Sequence, residues 1–273
     1  MKTATLNGID IAYRDEGAGQ PILFIHAFPL HSASWDRQIV VFSPHHRVIA
    51  PDLRGLGASA RGSGAASLDQ HADDLAALLD HLTIENATVV GLSLGGYISF
   101  ALWRRHRQRV AALILADTRA AGDSDEAKQG REKNARLAEE QGPGALADQM
   151  LPKLLAHNAS ATLRAEVRAI IESNDRAGIA ATLRAMAARP DSTPLLATID
   201  VPALVIVGAE DTLTPPSEAA AMCNAIPACR LAEIPGAGHL SNLEAPEAFN
   251  AEVAEFVMPR RAFGVGGGGG GKW

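Results

Sequence analysis

One serine in this sequence stands in a setting that suits covalent catalysis. Ser93 is the centre of the pentapeptide GLSLG, where the apolar run ATVVG gives way to the helical pattern YISFALWRR. A serine at a sharp strand-to-helix turn projects its hydroxyl above the sheet, and flanking glycines avoid collisions with neighbouring backbone. The hydroxyl becomes a nucleophile only when a histidine takes its proton and an acid fixes the tautomer of that histidine. The rest of the chain should therefore supply a base and an acid.

Two later segments offer these groups. The apolar run PALVIVG leads into Asp211, and the run CRLAEIPG leads into His239. Each side chain thus follows the carboxyl end of an expected strand, and open α/β sheets place their sites at that edge. The chain order Ser93, Asp211, His239 predicts that the three side chains meet there.

Six short apolar runs, separated by helical patterns, are the elements that would position these residues. Runs that are apolar throughout predict strands covered on both faces, and helices between them predict βαβ units in a parallel sheet. Asn7-Gly8, between two extended stretches, predicts an opening antiparallel hairpin. The fold class is therefore α/β, a mostly parallel twisted sheet flanked by helices. The runs are PILFIH (21–26), RVIAPD (47–52), ATVVGLS (87–93), AALILADT (111–118), PALVIVG (202–208) and CRLAEIPG (229–236).

The strand signals stop between residues 118 and 200, where Leu and Ile recur at helical spacing. We therefore expect an α/β core of residues 1–117 and 201–262 with an inserted helical cap of 118–200. The glycine-rich residues 263–273 predict a flexible tail. Because the cap segment holds no Phe, Tyr or Trp, we expect the apolar lining that it gives to any pocket to be aliphatic.

Composition narrows the partners and the location. The 273 residues include 25 basic and 31 acidic side chains, a net charge of −6, with no basic block, so nucleic acid is not expected as a partner. No signal-peptide pattern and no apolar stretch of about 18 residues occurs, so we expect a cytoplasmic protein without a membrane partner. Cys223 and Cys229 form no CxxC motif and are expected to be free thiols, and no histidine pair has a metal spacing such as HExxH.

Five motifs, in the right order, resemble those of proteins with the α/β-hydrolase fold, and the resemblance covers about residues 3 to 258. The resemblance implies that Ser93 is the nucleophile, His239 the general base and then acid, and Asp211 the group that orients His239. It also implies a small-molecule substrate and neither a cofactor nor a metal. The motifs are His26-Ala27-Phe28-Pro29, DLRGLGAS (52–59), the turn at Ser93, GAED (208–211) and GAGH (236–239).

The resemblance also implies roles for residues around the nucleophile. The backbone N–H groups of Phe28 and Leu94 are expected to form the oxyanion hole. Ala27 stands where the family most often has glycine, so the loop either has an ordinary conformation or is slightly strained. His26 is expected to brace its loop through backbone contacts. Some family members take their carboxylate from the position of Asp117, which makes this residue the rival of Asp211.

Apolar side chains near these motifs are the candidates for a substrate pocket. The alternative interpretation of each is that it packs in the core without contacting a ligand, because leucines at helical spacing are usually core residues. The candidates are Leu30, Trp35, Met150, Leu151, Leu154, Leu155, Leu213 and Leu240, beside Phe28 and Leu94.

The function that these features predict is a serine hydrolase that cleaves small to medium carboxylic esters or lactones through an acyl-enzyme on Ser93. The sequence looks most similar to small bacterial carboxylesterases and, through GAGHLSNLEAPEAFN, to the 3-oxoadipate enol-lactonase group. A serine nucleophile disfavours the related dehalogenases and epoxide hydrolases, which use an aspartate. Three alternatives stay open: a C–C bond hydrolase of ring-cleavage products, a cofactor-free perhydrolase or haloperoxidase, and a small-molecule receptor on the same fold.

Overall fold

All six apolar runs and the opening hairpin are strands in the computed structural model, which describes residues 1–63 and 66–257. The predicted tail of residues 263–273 and the end of the predicted core lie outside the described residues. The strands are β1 (Lys2–Leu6), β2 (Ile9–Glu16), β3 (Pro21–Ile25), β4 (Arg47–Pro51), β5 (Ala87–Leu92), β6 (Val110–Ala116), β7 (Ala203–Gly208) and β8 (Cys229–Ile234).

Helices connect and cover these strands. They are α1 (Asp36–Phe42), α2 (Leu68–His81), α3 (Leu94–His106), α4 (Asp125–Gln141), α5 (Pro143–Leu154), α6 (Ala161–Glu172), α7 (Arg176–Ala187), α8 (Pro216–Ala225), α9 (Ser241–Glu244) and α10 (Pro246–Val257). Four of them, α4 to α7, lie between β6 and β7, in the segment where the strand signals stop.

The strands form one sheet in the order β1-β2-β4-β3-β5-β6-β7-β8. β1 pairs with β2 and β2 with β4 in antiparallel fashion, whereas the pairs from β4 across to β8 are parallel. The predicted fold class, a mostly parallel sheet flanked by helices, is confirmed. Because β5, β6 and β7 are neighbours, the residues that follow them lie side by side at one edge.

Alternate residues of the central strands enter two apolar layers, one on each face of the sheet. On β5, Val89 belongs to one layer and Val90 to the other, as the two-residue period of a strand requires. On the second face Trp35 packs against Phe24 and Phe249, with ring centroids 4.8 and 6.0 Å apart. This aromatic cluster accounts for the complete burial of Trp35.

The inserted helices are held to one another by charge as well as by apolar packing. Arg184 of α7 reaches two carboxylates of α4: its Nε lies 3.0 Å from Glu132 Oε2, and its Nη1 lies 2.6 Å from Glu139 Oε1. Such half-exposed pairs contribute little singly, but a guanidinium shared by two carboxylates fixes the register of the two helices.

Cys223 and Cys229 form a disulfide, so the expectation of free thiols was wrong. The chain turns between α8 and β8, and this turn brings the two Cα atoms to 5.4 Å, inside the range that a disulfide spans. Five residues lie between the two cysteines, a spacing without a recognised motif. In the ranges 1–63 and 66–257, no helix has both the length and the apolarity to cross a membrane.

A buried histidine lies beneath the DLRGLGAS loop. His71 of α2 is fully buried, and neither ring nitrogen has a hydrogen-bond partner among the described residues. Nearby, Arg54 forms two hydrogen bonds of 2.8 and 2.7 Å with Asp74. Burial, with the charge of Arg54 next in importance, lowers the pKa of His71 from 6.5 to about 3.

This burial predicts an acid-sensitive fold. The folded protein keeps His71 neutral, while the unfolded chain takes up a proton there as the pH falls below 6.5. The free energy of unfolding should therefore fall with decreasing pH through the window between 6.5 and about 3. Compared with His71→Leu, which has no such proton, the wild type should lose about 2 kcal/mol more between about pH 7 and about pH 5. Urea unfolding of both proteins at the two pH values measures this, and equal losses would contradict it.

Candidate active site

Ser93 occupies the sharp turn between β5 and α3, and the local sequence forces that turn. Its backbone has φ 54°, in the left-handed region. A Cβ on Gly95 would lie 2.1 Å from the carbonyl oxygen of Ile25, and one on Gly91 would lie 2.4 Å from that of Gly95. The Thr118 hydroxyl donates to the carbonyl of Ser93 at 2.8 Å. The glycines allow the close approach, and Thr118 fixes the turn from the end of β6.

The structure brings Ser93, His239 and Asp211 into one hydrogen-bonded chain. Ser93 Oγ lies 2.7 Å from Nε2 of His239, and Nδ1 of His239 lies 2.7 Å from Oδ2 of Asp211. All three residues are buried. With Nδ1 protonated, Nε2 has its lone pair directed at the serine hydroxyl, which is the arrangement that removes a proton from a nucleophile.

Asp211 is held in place by donors other than His239. The N–H groups of Leu213 and Thr214 donate to its Oδ1 at 2.8 and 3.0 Å, and the Thr214 hydroxyl donates to Oδ2 at 2.6 Å. Burial alone would raise the pKa of Asp211, but the hydrogen bond and charge of His239, with the Thr214 donors, lower it overall. Asp211 is therefore a charged carboxylate that orients the imidazole.

Asp117, the rival acid, is also buried at this sheet edge but faces other groups. One of its oxygens accepts the N–H of Gly208 at 2.8 Å, and the other accepts the hydroxyl of Ser241. Burial raises the pKa of Asp117 to about 7. The environments of Asp117 and Asp211 push their pKa values in opposite directions, and only Asp211 is within hydrogen-bond distance of His239.

The residues of the two expected oxyanion donors adjoin the site: Phe28 lines the same cavity as Ser93, and Leu94 follows Ser93 in the chain. Within the described part of the chain, neither the N–H of Phe28 nor that of Leu94 donates a hydrogen bond. Leu94 is the first residue of α3, where peptide N–H groups have no partner inside the helix. Ala27 has no positive φ, so no glycine is required at this position. His26 braces this loop, because its ring contacts Ala27 O at 2.9 Å and accepts the N–H of Leu53 at 3.0 Å.

One carboxylate connects the loop of His239 to the inserted helices. Glu244 of α9 accepts the N–H groups of Gly238 and Leu240 at 3.0 and 3.2 Å, on either side of His239. Its other oxygen accepts the N–H of Ala156, which follows α5, at 2.7 Å. Both segments are therefore ordered by the same side chain.

A cavity of about 390 Å³ opens above Ser93 and His239. Four expected lining residues are there: Phe28, Met150, Leu154 and Leu213. The remaining lining comes from residues that sequence reasoning did not select. These are Tyr97, Arg119, Gly130, Arg131, Lys133, Asn134, Gln149, Lys153, Leu183, Met186 and Thr214.

Six apolar candidates for the pocket lie in the core instead and are absent from the walls of the cavity. Leu94 belongs to the apolar layer on the first face of the sheet, and the other five belong to the layer on the second face. These are Leu30, Trp35, Leu151, Leu155 and Leu240. The apolar lining that the cap segment contributes is aliphatic as expected, but α4 and α5 also present Arg131, Lys133 and Lys153 to the cavity beside Met150 and Leu154, and these charges were not predicted.

The chain is similar over most of its length to a family of known proteins. Residues 20–246 match the alpha/beta hydrolase fold family. The chain belongs to this family. The resemblance inferred from the five sequence motifs is thereby confirmed.

Relatives of this alpha/beta hydrolase include enzymes with named activities. A 3-oxoadipate enol-lactonase from Acinetobacter baylyi is 33% identical over 94% of the chain and 96% of its own length. The structure of a thermophilic esterase from Thermogutta terrifontis is 40% identical with TM-score 0.90, covering 93% of this chain and 96% of that one. The enol-lactonase of Burkholderia xenovorans is 32% identical with TM-score 0.86, covering 93% and 99%. The relatives with named activities are thus an esterase and two enol-lactonases.

Two threonines that support the site were not predicted from the sequence. Thr118 fixes the turn of Ser93, and Thr214 donates to Asp211. The signal for both was their place within three residues of an acid already under consideration: Thr118 follows Asp117, and Thr214 lies three residues after Asp211. Among the described residues, no group of three or more His, Cys, Asp or Glu side chains is placed to hold a metal ion.

Proposed function

We propose that this chain is a serine hydrolase that cleaves small to medium carboxylic esters or lactones through an acyl-enzyme on Ser93. The observation that carries the proposal is the pair of 2.7 Å contacts that link Ser93 Oγ, the His239 ring and Asp211. The enol-lactonase and esterase relatives support the substrate class. The related perhydrolase, C–C hydrolase and receptor functions have no specific contact in their favour here.

In the proposed acylation step, Ser93 Oγ attacks the carbonyl carbon while Nε2 of His239 takes the hydroxyl proton. Asp211 stabilises the imidazolium and keeps its Nδ1 proton in place. The carbonyl oxygen becomes an oxyanion, which the N–H groups of Phe28 and Leu94 stabilise. Collapse of this intermediate breaks the ester C–O bond, and His239 returns the proton to the departing alkoxide.

Deacylation repeats these steps with water in place of the serine. His239 takes a proton from water, the hydroxide attacks the acyl carbon, and the Ser93 oxygen leaves with a proton from His239. In a lactone the alcohol and the acid belong to one molecule, so the ring opens and the product leaves only after hydrolysis of the acyl-enzyme. Helices α4 to α7 form the cap in this proposal, because α4, α5 and α7 supply much of the wall of the cavity that Ser93 lines.

The experiment that tests the proposed function is hydrolysis of p-nitrophenyl esters from acetate to laurate, together with γ- and δ-lactones. A cavity of about 390 Å³ should favour acyl chains of short and medium length over laurate. Loss of turnover in Ser93→Ala is the required companion result. A folded wild-type protein without turnover on any of these compounds would contradict the proposal.

A cytoplasmic location stays a prediction, and the Cys223–Cys229 disulfide counts against it. Disulfides persist mainly in oxidising compartments, and they are rare where glutathione keeps thiols reduced.

A further inference from the structure

The cavity above Ser93 is unusual for its charge. Four of its lining residues are cationic, and no Asp or Glu is among the described residues that line it. The chain as a whole has a net charge of −6. Positive side chains are thus concentrated around one concave surface of an acidic protein. The four are Arg119, Arg131, Lys133 and Lys153.

The carboxylates behind the wall offset the charge of the arginine there. Arg131 and Arg189 share one partner, Asp123, with Arg189 Nη1 2.7 Å from its Oδ1. The Arg189 guanidinium also lies 4.0 Å above the ring of Tyr97, which lines the cavity. The exposed carboxylate of Asp191 interacts electrostatically with Arg189 as well, so two carboxylates stand against the two guanidiniums. The positive charge that a ligand in the cavity can meet therefore comes from the two lysines.

The two lysines stand at the other wall and are available to a ligand. Lys133 lies on α4 and Lys153 on α5, and both are exposed. In the described ranges neither forms an ion pair or a side-chain hydrogen bond, whereas Arg119 is paired with Glu218 at 3.2 Å. Each ammonium therefore has three donors free for an anionic group in the cavity.

We propose that the cavity selects an ester or lactone that bears a carboxylate away from the scissile carbonyl, attracted and held by Lys133 and Lys153. This inference rests on the proposed function. A cleft lined by charge of one sign raises the local concentration and capture rate of a counter-charged substrate by about tenfold or more. A carboxylate bound by the lysines would fix which end of the substrate faces Ser93.

A matched pair of substrates tests this selectivity. Mono-p-nitrophenyl glutarate carries a free carboxylate at the end of its acyl chain, and p-nitrophenyl hexanoate is a neutral ester of similar length. We expect kcat/KM to be at least about tenfold higher for the glutarate ester at low salt. The preference should shrink towards about 1 M NaCl, where the Debye length is about 3 Å. A second pair, 4-carboxyphenyl butyrate and phenyl butyrate, tests a carboxylate on the alcohol side.

Substitution of the lysines connects the preference to these side chains. In Lys133→Gln/Lys153→Gln, the ratio of kcat/KM for the charged ester to that for the neutral ester should fall by about tenfold. Lys128→Gln is the control, because it removes the same charge from α4 at a residue outside the cavity. Its ratio should equal that of the wild type.

Two outcomes separate this inference from the proposed function. Suppose that the neutral esters are hydrolysed and that this turnover depends on Ser93. If neither charged ester is then preferred, or if the ratio of kcat/KM values is unchanged in the double variant, the anion selectivity is refuted and the serine hydrolase stands. If no ester is hydrolysed, calorimetric titration with glutarate and with neutral glutaramide decides. Tighter binding of glutarate that the double variant loses would support the inference, and equal binding of the two compounds would overturn it.

Discussion

Ser93→Ala should lower kcat for ester hydrolysis by at least about 10⁴-fold, because no other hydroxyl lies within hydrogen-bond distance of His239 Nε2 in the described structure. The remaining rate would come from binding and from the oxyanion donors alone. The midpoint of thermal unfolding should change little, since among the described residues the Ser93 side chain forms a hydrogen bond only with His239. Steady-state kinetics and circular dichroism measure the two quantities.

The control for this variant is Ser217→Ala. Ser217 is exposed on α8 and lies outside the cavity, so its rate should equal that of the wild type. In the wild type, mass spectrometry after rapid mixing with a slowly deacylated ester should find the acyl group on the peptide that contains Ser93. Retained turnover in Ser93→Ala, or an acyl group on another residue, would refute the acyl-enzyme.

Asp211→Asn should lower kcat by about 10⁴-fold, and Asp117→Asn by no more than about tenfold. An asparagine at 211 would direct an amide donor at Nδ1 of His239, which favours the tautomer with its proton on Nε2 and so blocks proton transfer from Ser93. An asparagine at 117 can keep the bond from the Gly208 N–H, and the Ser241 hydroxyl can rotate to accept from the new amide.

The two variants control for each other, because each replaces one buried carboxyl by its amide at the same sheet edge. Thermal unfolding of both proteins should precede the kinetics, so that a loss of folding is not mistaken for a loss of catalysis. The opposite ranking, with Asp117→Asn the slower enzyme, would assign the orienting acid to Asp117.

The positions of Ser93, Asp211 and His239 followed from the sequence because each comes directly after an apolar run. Parallel strands end at one edge of a sheet, so residues that follow different apolar runs can be predicted to lie close together even when side-chain packing is unknown. The same logic could not separate Asp117 from Asp211, since both follow strands. The hydrogen bonds of His239 separate them, and those depend on rotamers that no sequence pattern encodes.

The cavity lining was harder to predict for a different physical reason. Met150 and Leu154 of α5 reach the cavity, while Leu151, one residue from Met150, packs in the core. Both faces of this helix end are apolar, so periodicity alone cannot say which face meets the substrate. Lys133 and Lys153 could not be predicted because exposed lysines on helices are typical of any solvated surface. Only the tertiary structure shows that both line the same cavity.

The Glu244 side chain links two segments of the site, the loop of His239 and the end of α5. Its carboxylate accepts the amides of Gly238 and Leu240 in the loop of His239 and the amide of Ala156 at the end of α5. A local opening that displaces the Glu244 side chain removes the acceptor from all three amides at once, so such an opening couples the end of α5 to the loop of His239. A protein that has withdrawn this carboxylate has lost both an anchor of the inserted helices and a support for the placement of its base.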